Sequence, residues 1–215
     1  MALTRSASAW LAAYGLVALV NVVSVLIGLD VLSFVTLLLA MPTLIGALLA
    51  ARPVPAWWGP VAAALVFSWL GDWAAELARS IWMKIAFFFA AQVLYAAAFW
   101  PFRARSVLRR PRWLLVYALV VGGLLAFVAP DAGVLAPAVI VYGCSLGLMA
   151  VLATGVHPLT SVSAASFLIS DSLIALTTFV APDSSAGAVF FIMASYLTGQ
   201  LLIVLGVVFA GRPAR

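Results

Sequence analysis

Long apolar blocks, each about 20 residues in length, follow one another along this chain and constrain its fold more than any other feature. A helix of about 20 apolar residues crosses the ~30 Å hydrocarbon core of a bilayer. The blocks are continuous and do not alternate with a period of two, which favours helices over a β-barrel. They lie near 9–29, 31–51, 54–77, 81–101, 113–129, 133–153, 158–181 and 186–210. The sequence therefore predicts an all-α polytopic membrane protein, an eight-transmembrane-helix bundle forming a single domain over residues 1–215.

The composition excludes a soluble protein. Of the 215 residues, 67% are apolar and 8% are charged, whereas an ordinary soluble domain carries about 25% charged residues. The net charge of +5 comes from arginines that flank the apolar blocks. Membrane topology explains such arginines better than nucleic-acid binding does. We therefore expect the lipid bilayer as a partner, and no nucleic acid.

The arginines also predict an orientation. An N-terminus in the cytoplasm places nine arginines on the cytoplasmic side and leaves Arg79 and Lys84 outside. Short cytoplasmic loops of membrane proteins are enriched in Lys and Arg. We therefore expect an integral protein of a bacterial-type cell membrane with both termini in the cytoplasm. The cytoplasmic set is Arg5, Arg52, Arg103, Arg105, Arg109, Arg110, Arg112, Arg212 and Arg215.

Two carboxylates lie inside the apolar blocks. Asp72 is toward the outer half of the third block, and Asp171 is near the middle of the seventh. A charged side chain at the bilayer centre costs roughly 2.5–3.5 kcal/mol on insertion scales, and such residues mark functional sites by default. The alternative is a packing role, in which each is hydrogen-bonded to neighbouring helices and does no chemistry. We predict that Asp72 and Asp171 meet in one secluded pocket between the helices.

Several other polar side chains fall at mid-span, and we predict that they contact substrate beside the aspartates. Those in the fourth and eighth blocks are three or four residues apart, which places each pair on one helix face. The alternative is hydrogen bonding between helices, worth about 0.6 kcal/mol on average. Two tryptophans flank Asp72 and are expected to wall its pocket. The predicted contacts are Asn21, Gln92, Tyr95, Tyr196 and Gln200, with Trp69 and Trp73 as the wall.

The sequence offers little for metal or triad chemistry. It has one histidine, His157, and one cysteine, Cys144, in different segments. A dedicated transition-metal site needs several such ligands, and a Ser-His-Asp triad needs a histidine beside the serine. We therefore predict no metal and no cofactor, and we expect His157 to cap or hydrate a loop.

Four segments, taken in their order and spacing, carry a resemblance to a known family. They are Gly71-Asp72, the run from Phe87 to Tyr95, the run from Ala164 to Asp171, and the run from Tyr196 to Ile203. Together they resemble the YhhN, or lysoplasmalogenase-like, membrane proteins. The resemblance implies eight helices and, for the characterised members, hydrolysis of the vinyl ether bond of lysoplasmalogens to a fatty aldehyde and a glycerophospho head group.

The resemblance also implies that Asp72 and Asp171 are a catalytic pair. Two positions depart from the family pattern. Gln92 stands where a histidine is usual, and Met41 precedes Pro42 where a lysine is common. If those groups bind phosphate or relay protons in relatives, this chain has a different substrate or lacks the activity.

Vinyl ether hydrolysis needs a proton donor in an apolar site, because protonation of the carbon remote from oxygen gives an oxocarbenium ion that water captures. Two carboxyls can divide this work as they do in glycosidases. We assign Asp72 as the acid and Asp171, among serines that donate hydrogen bonds, as the ionised partner, with the reverse assignment open.

Two other function classes use the same buried carboxylates. A small proton-coupled transporter, or a lipid-binding membrane protein without hydrolytic activity, would carry protons or bind a head group there. An intramembrane aspartyl protease is the weakest alternative, because Trp69 stands at the first glycine of the expected Gly-x-Gly-Asp.

Overall fold

The computed structural model describes residues 3–51 and 57–211, without the side chains of Ala75 and Glu76. Over these residues the chain is helical and contains no strand, which confirms the all-α prediction. It forms eight α-helices of 18 to 25 residues. They are α1 (Arg5–Leu26), α2 (Asp30–Ala50), α3 (Trp58–Glu76), α4 (Ile81–Phe99), α5 (Pro111–Val128), α6 (Ala136–Ala153), α7 (Pro158–Ala175) and α8 (Ala186–Ala210).

Six segments of the described chain are long and apolar enough to cross a membrane. One of them, Pro111–Ala153, contains both α5 and α6, and α3 is not among the six. The bilayer leaves no water to satisfy backbone groups, so helices are the expected structure for such segments. That all eight helices cross the membrane stays a prediction.

The helix ends differ from the predicted blocks by a few residues, for local reasons. Helix α1 begins four residues early because the Thr4 hydroxyl accepts a hydrogen bond from the Ala7 amide at 3.0 Å, which is an N-cap. It ends at Leu26, shortly before Gly28 takes a φ of +72°. A π-helix at Leu176–Val180 extends α7. The predicted start of the third block at residue 54, and the predicted cytoplasmic residues Arg52, Arg212 and Arg215, lie outside the described residues.

The packing of the helices brings six helix ends together. Helix α8 packs against α1, α2, α3 and α7, and α4 packs against α3 and α6. Because the connections are short, α3 ends where α4 begins, α5 ends near the start of α6, and α7 ends near the start of α8. These six ends form one end of the bundle, which we call the cavity end. The arginine-rich segment 103–112 follows α4 and therefore lies at the opposite end.

Candidate functional site

One cavity at the cavity end has both intramembrane aspartates in its wall. Its volume is about 90 Å³. Asp72 comes from α3 and Asp171 from α7, while Lys84, Tyr142 and Tyr196 come from α4, α6 and α8. The rest of the wall is mainly apolar and includes Phe88, Leu124, Leu125, Val128, Leu146, Ile174, Phe179 and Ile192. The fold thus brings two carboxyls from distant parts of the sequence to one apolar chamber.

Asp171 is surrounded by hydrogen-bond donors. The Tyr142 hydroxyl donates to its Oδ2 at 2.8 Å, and the Gln92 amide donates to the same oxygen at 3.3 Å. Ser145 in turn donates to the Gln92 carbonyl oxygen at 2.5 Å, which fixes the orientation of the amide. Among the described residues no hydrogen bond reaches the other oxygen, Oδ1. Lys84 attracts the carboxylate electrostatically across the cavity.

Asp72 is more deeply buried and lies against an aromatic wall. Its side chain is 5% exposed, and the Tyr196 hydroxyl donates to its Oδ2 at 3.0 Å. The Tyr196 ring meets the Phe88 ring edge to face, with centroids 5.8 Å apart. Phe88 can approach α3 because Gly71 has no side chain; a Cβ there would come within 2.7 Å of the Phe88 ring. The aromatic neighbours of Asp72 therefore come from α4 and α8.

A second, smaller cavity of about 10 Å³ adjoins the first. It shares Phe88, Tyr142, Asp171 and Tyr196 with the larger cavity. A space of about 10–15 Å³ holds one water molecule when two to four polar partners surround it. The additional polar side chains in its wall are those of Ser68, Gln92 and Tyr95. This arrangement can hold one water molecule next to Asp171.

The predicted polar residues of α4 and α8 divide between the cavities and the core beside them. Gln92 binds Asp171 and Tyr196 binds Asp72. Tyr95 lines the smaller cavity and donates to the Gln200 side-chain oxygen at 2.8 Å. Gln200 is fully buried, and its amide nitrogen has no hydrogen-bond partner among the described residues. Tyr95 and Gln200 therefore bond to each other in the core beside the cavities.

Besides Gln200, three predicted contact residues line neither cavity. Asn21 donates to the Ser33 carbonyl at 2.7 Å and so joins α1 to α2. The Trp69 indole donates to the Leu38 carbonyl at 2.9 Å, which directs its ring toward α2, and Trp73 packs edge-on against Trp69. Trp69 and Trp73 are four residues apart and share a face of α3, and the hydrogen bond of Trp69 to α2 turns this face away from the cavity. The expectation that these tryptophans wall the pocket is corrected: Phe88 and Tyr196 do so.

The serines of α7 also differ from the expected arrangement. Ser163 and Ser170 donate to the α8 carbonyl oxygens of Gly199 and Ile192, at 2.7 Å and 3.1 Å. These bonds hold α7 against α8, in the way that small polar residues pack membrane helices. The donors to Asp171 come from α6 and α4, and not from these serines.

Sequence reasoning missed three residues of the site. Tyr142 and Ser145 lie inside an apolar block, and the rule that identified Tyr95 would have found them as well. Topology alone accounts for Lys84 as a charge on the outer side, yet its side chain lines the cavity. Lys84 is four residues before Phe88 and eight before Gln92, which places all three on one helix face. This spacing could have identified Lys84 as a site residue.

A groove between α5 and α7 continues the face of α5 that lines the cavity. Leu124, Leu125 and Val128 line the cavity, and preceding residues at helical spacing line the groove. The groove residues come from α5, α7 and the segments beside them; they are Val107, Arg110, Trp113, Val116, Tyr117, Val120, Thr154, Ser161, Ala165 and Leu168. On α7, Ala165 and Leu168 in the groove lie on the same helix face as Asp171 and Ala175 in the cavity. The two spaces thus lie along the same pair of helix faces.

The sequence was compared with known families, curated proteins and solved structures. The sequence pattern of the YhhN family matches residues 31–207. The match includes both aspartates and reaches from the first turn of α2 into the last turn of α8. A search of curated proteins and a search of solved structures gave no match. Because the family pattern covers well over half of the sequence, the resemblance is confirmed: the chain belongs to the YhhN family.

Proposed function

We propose that this protein is a membrane hydrolase that cleaves the vinyl ether bond of a lysophospholipid by acid catalysis, with Asp72 and Asp171 as the catalytic pair. The observation that carries the proposal is that both carboxyls lie in the wall of one mainly apolar cavity. A vinyl ether next to a fatty chain is an apolar substrate, and its hydrolysis consumes only water. The proposed activity is the one that the family resemblance implies.

The first step is transfer of a proton to the vinyl carbon remote from oxygen. One carboxyl donates the proton and becomes a carboxylate, and the substrate becomes an oxocarbenium ion. The second carboxylate stabilises this positive charge, as in glycosidases. We assign Asp72 as the donor, because the aromatic side chains of Phe88 and Tyr196 surround it and its side chain is 5% exposed.

The second step is capture of the oxocarbenium ion by water. The ionised partner takes a proton from the water as the new carbon–oxygen bond forms, which gives a hemiacetal. The hemiacetal loses its hydroxyl proton while the glycerol oxygen gains one, so that the carbon–oxygen bond to glycerol breaks and the aldehyde is released. Proton transfer between the two carboxyls then restores their initial states. The small cavity beside Asp171 provides space for this water.

The donors around Asp171 support its assignment as the ionised partner. A carboxylate inside the membrane costs roughly 2.5–3.5 kcal/mol, and a hydrogen bond to a charged group contributes about 1.5–3 kcal/mol. Two such bonds, from Tyr142 and Gln92, are sufficient to offset the cost. The unbonded Oδ1 is then available to accept a proton from water.

The fatty chain requires a longer apolar space than the cavity provides. The groove between α5 and α7 lies on the side of the cavity toward the arginine-rich end. The same faces of α5 and α7 line both spaces. From Val128 to Trp113 the α5 face is about 22 Å long, at 1.5 Å per residue. We place the chain along this face, with its reactive end beside Asp171. All eight helices are proposed to cross the bilayer.

Cleavage of a 1-alkenyl lysophospholipid by the purified protein tests the proposal. Asp72→Asn and Asp171→Asn should each lower the rate of aldehyde release by at least about 100-fold, the usual contribution of a general acid or base. Asp131→Asn is the matched control, because Asp131 is exposed and outside the cavity. Full activity in both cavity variants would contradict the scheme. Binding of the lipid without cleavage by the wild-type protein would favour the transporter or lipid-binding alternative.

The deuterium content of the aldehyde tests whether a proton is added to the vinyl carbon. In D₂O the proton that adds to the vinyl carbon is replaced by deuterium, so the product should carry one deuterium on the carbon next to the carbonyl. An aldehyde without deuterium at that carbon would exclude protonation of the vinyl carbon by an acid that exchanges with solvent.

A further inference from the structure

Lys84 is the only lysine in the sequence and lies in the first turn of α4. Its side chain is partly buried and lines the cavity together with both aspartates. Among the described residues no hydrogen bond or ion pair engages its ammonium group. A cation that faces a mainly apolar cavity without a direct partner is available to an anionic ligand.

The surroundings of Lys84 place it at the level of lipid head groups. Trp82, two residues earlier, is 55% exposed, and Arg79 just before the helix is also exposed. Tryptophan and arginine residues at helix ends occupy the interfacial region of a bilayer. A lysine in the first turn extends its ammonium toward that region while its stem lines the apolar wall. We therefore expect the ammonium to lie at the level of lipid phosphates.

The spacing along α4 relates Lys84 to the catalytic pair. Lys84, Phe88 and Gln92 follow at intervals of four residues on one helix face. Eight residues correspond to about 12 Å along the axis, and Gln92 binds Asp171 directly. A ligand held by its phosphate at Lys84 therefore extends its glycerol and its first chain atoms toward Asp171.

We propose that Lys84 binds the phosphate of the lysolipid head group and thereby positions the vinyl ether between Asp72 and Asp171. This inference rests on the proposed function and adds to it the residue that holds the phosphate of the substrate. Lysine is a common phosphate ligand, acting as a point charge. The lysine expected before Pro42 from the family pattern is Met41 here, so Lys84 supplies a cation from another helix.

A competing role for Lys84 is to balance the charge of Asp171 from across the cavity. The two roles differ in their dependence on the substrate. Loss of a phosphate ligand harms only substrates that carry phosphate, and it acts mainly on KM. Loss of a counter-ion harms phosphate-bearing and neutral substrates alike, and it acts mainly on kcat.

The kinetic experiment compares a 1-alkenyl lysophospholipid with a 1-alkenylglycerol that has the same chain and no phosphate. In Lys84→Gln, the kcat/KM ratio of the phospholipid to the neutral lipid should fall roughly tenfold, through KM, as expected for loss of one charged hydrogen bond. Lys84→Arg keeps the charge and should restore most of the ratio. Arg79→Gln removes an exposed cation at the same end and should leave the ratio unchanged. An equal loss of activity on both substrates would overturn the proposal.

A binding experiment separates this proposal from the proposed hydrolysis. Because the chain has one lysine, lysine labelled with ¹³C at Cε gives a single NMR signal. A saturated ether lysophospholipid, which cannot be cleaved by this route, should shift the signal, whereas the matching alkylglycerol should not. A shift of equal size with glycerol 3-phosphate at the same concentration would identify a soluble phosphate ligand and overturn lipid head-group binding. If the signal shifts with the lysolipid while no lipid is cleaved, the hydrolase proposal fails and the phosphate site stands.

Discussion

At the scale of single residues, the hydrogen bonds to the two carboxyls come from different helices, from α4 and α6 to Asp171 and from α8 to Asp72. Asp171 accepts hydrogen bonds from Tyr142 and Gln92 on one oxygen, and Asp72 accepts one from Tyr196. Ser145 supports Gln92 in turn. The Tyr142 hydroxyl makes the shorter of the two bonds to Asp171, at 2.8 Å. We therefore expect Tyr142 to contribute most to stabilising the ionised partner.

Removal of the Tyr142 hydroxyl should slow vinyl ether cleavage. In Tyr142→Phe, kcat should fall by about 10- to 100-fold, because a hydrogen bond to a charged group contributes about 1.5–3 kcal/mol. Ser163→Ala also removes one buried hydrogen bond, from Ser163 to the Gly199 carbonyl, and lies outside both cavities. It should reduce stability by about 1 kcal/mol and leave kcat near that of the wild type. Equal kcat values for the two variants would contradict a special role for Tyr142.

Asp72, Asp171, Gln92 and Tyr196 could be identified from the sequence because a polar side chain inside an apolar block is costly and therefore conspicuous. Tyr142 obeys the same rule but is not among the predicted contacts. Which groups contact each other was not predictable. Tyr142 and Asp171 are 29 residues apart, and Gln92 and Asp171 are 79 apart, so these contacts depend on how three helices pack. Lys84 was misinterpreted for another reason: a cation at a helix end agrees with topology rules even when its side chain lines a cavity.

At the scale of helices, Gly71 sets the distance between α3 and α4 beside the site. A Cβ at this position would lie 2.7 Å from two atoms of the Phe88 ring. In Gly71→Ala the ring has to move, and overpacking of this kind typically costs 1–3 kcal/mol. We expect a lower Tm and slower cleavage, because Phe88 lines both cavities.

Gly59→Ala is the matched control on the same helix. A Cβ at Gly59 meets no atom within 4 Å, and alanine favours a helix over glycine by up to about 1 kcal/mol. Its Tm should therefore be unchanged or slightly higher. The double variant Gly71→Ala/Phe88→Leu should recover part of the lost stability. The Tm of each variant is measured by thermal unfolding in detergent. Equal Tm values for Gly71→Ala and Gly59→Ala would contradict a close approach at Gly71.

The groove between α5 and α7 makes a separate prediction about chain length. Ala165 lines the groove, whereas Val162 is 53% exposed on the same helix and does not line it. If the fatty chain lies in the groove, Ala165→Phe should lower the kcat/KM of long-chain relative to short-chain substrates. Val162→Phe should leave that ratio unchanged. Identical chain-length profiles for both variants would show that the chain lies elsewhere.

At the scale of the whole molecule, the all-helical architecture was predictable because an apolar block of span length has few other stable structures in lipid. The order and approximate limits of the helices follow from the same blocks. The ends were less accurate, since they depend on single residues such as Thr4, which caps α1, and Gly28, which follows it. The convergence of six helix ends on one cavity requires the packing arrangement, and no single segment encodes it.

The orientation of the molecule determines which leaflet supplies the substrate. Five exposed arginines lie between α4 and the start of α5, at the end opposite the cavity; they are Arg103, Arg105, Arg109, Arg110 and Arg112. The cavity end carries Arg79 and Lys84. The positive-inside rule therefore predicts that the cavity faces the outer leaflet, and that lysolipid enters from that side.

Cysteine labelling in intact cells tests this orientation. The single native cysteine, Cys144, is exposed, so it is first replaced by alanine. In that background Arg79→Cys, at the cavity end, should react with a membrane-impermeant maleimide added outside, whereas Arg105→Cys should react only after the cells are permeabilised. Both positions are exposed, so a difference between them reports sidedness and not burial. The reverse pattern would place the cavity at the cytoplasmic face, and the lysolipid would then have to come from the inner leaflet.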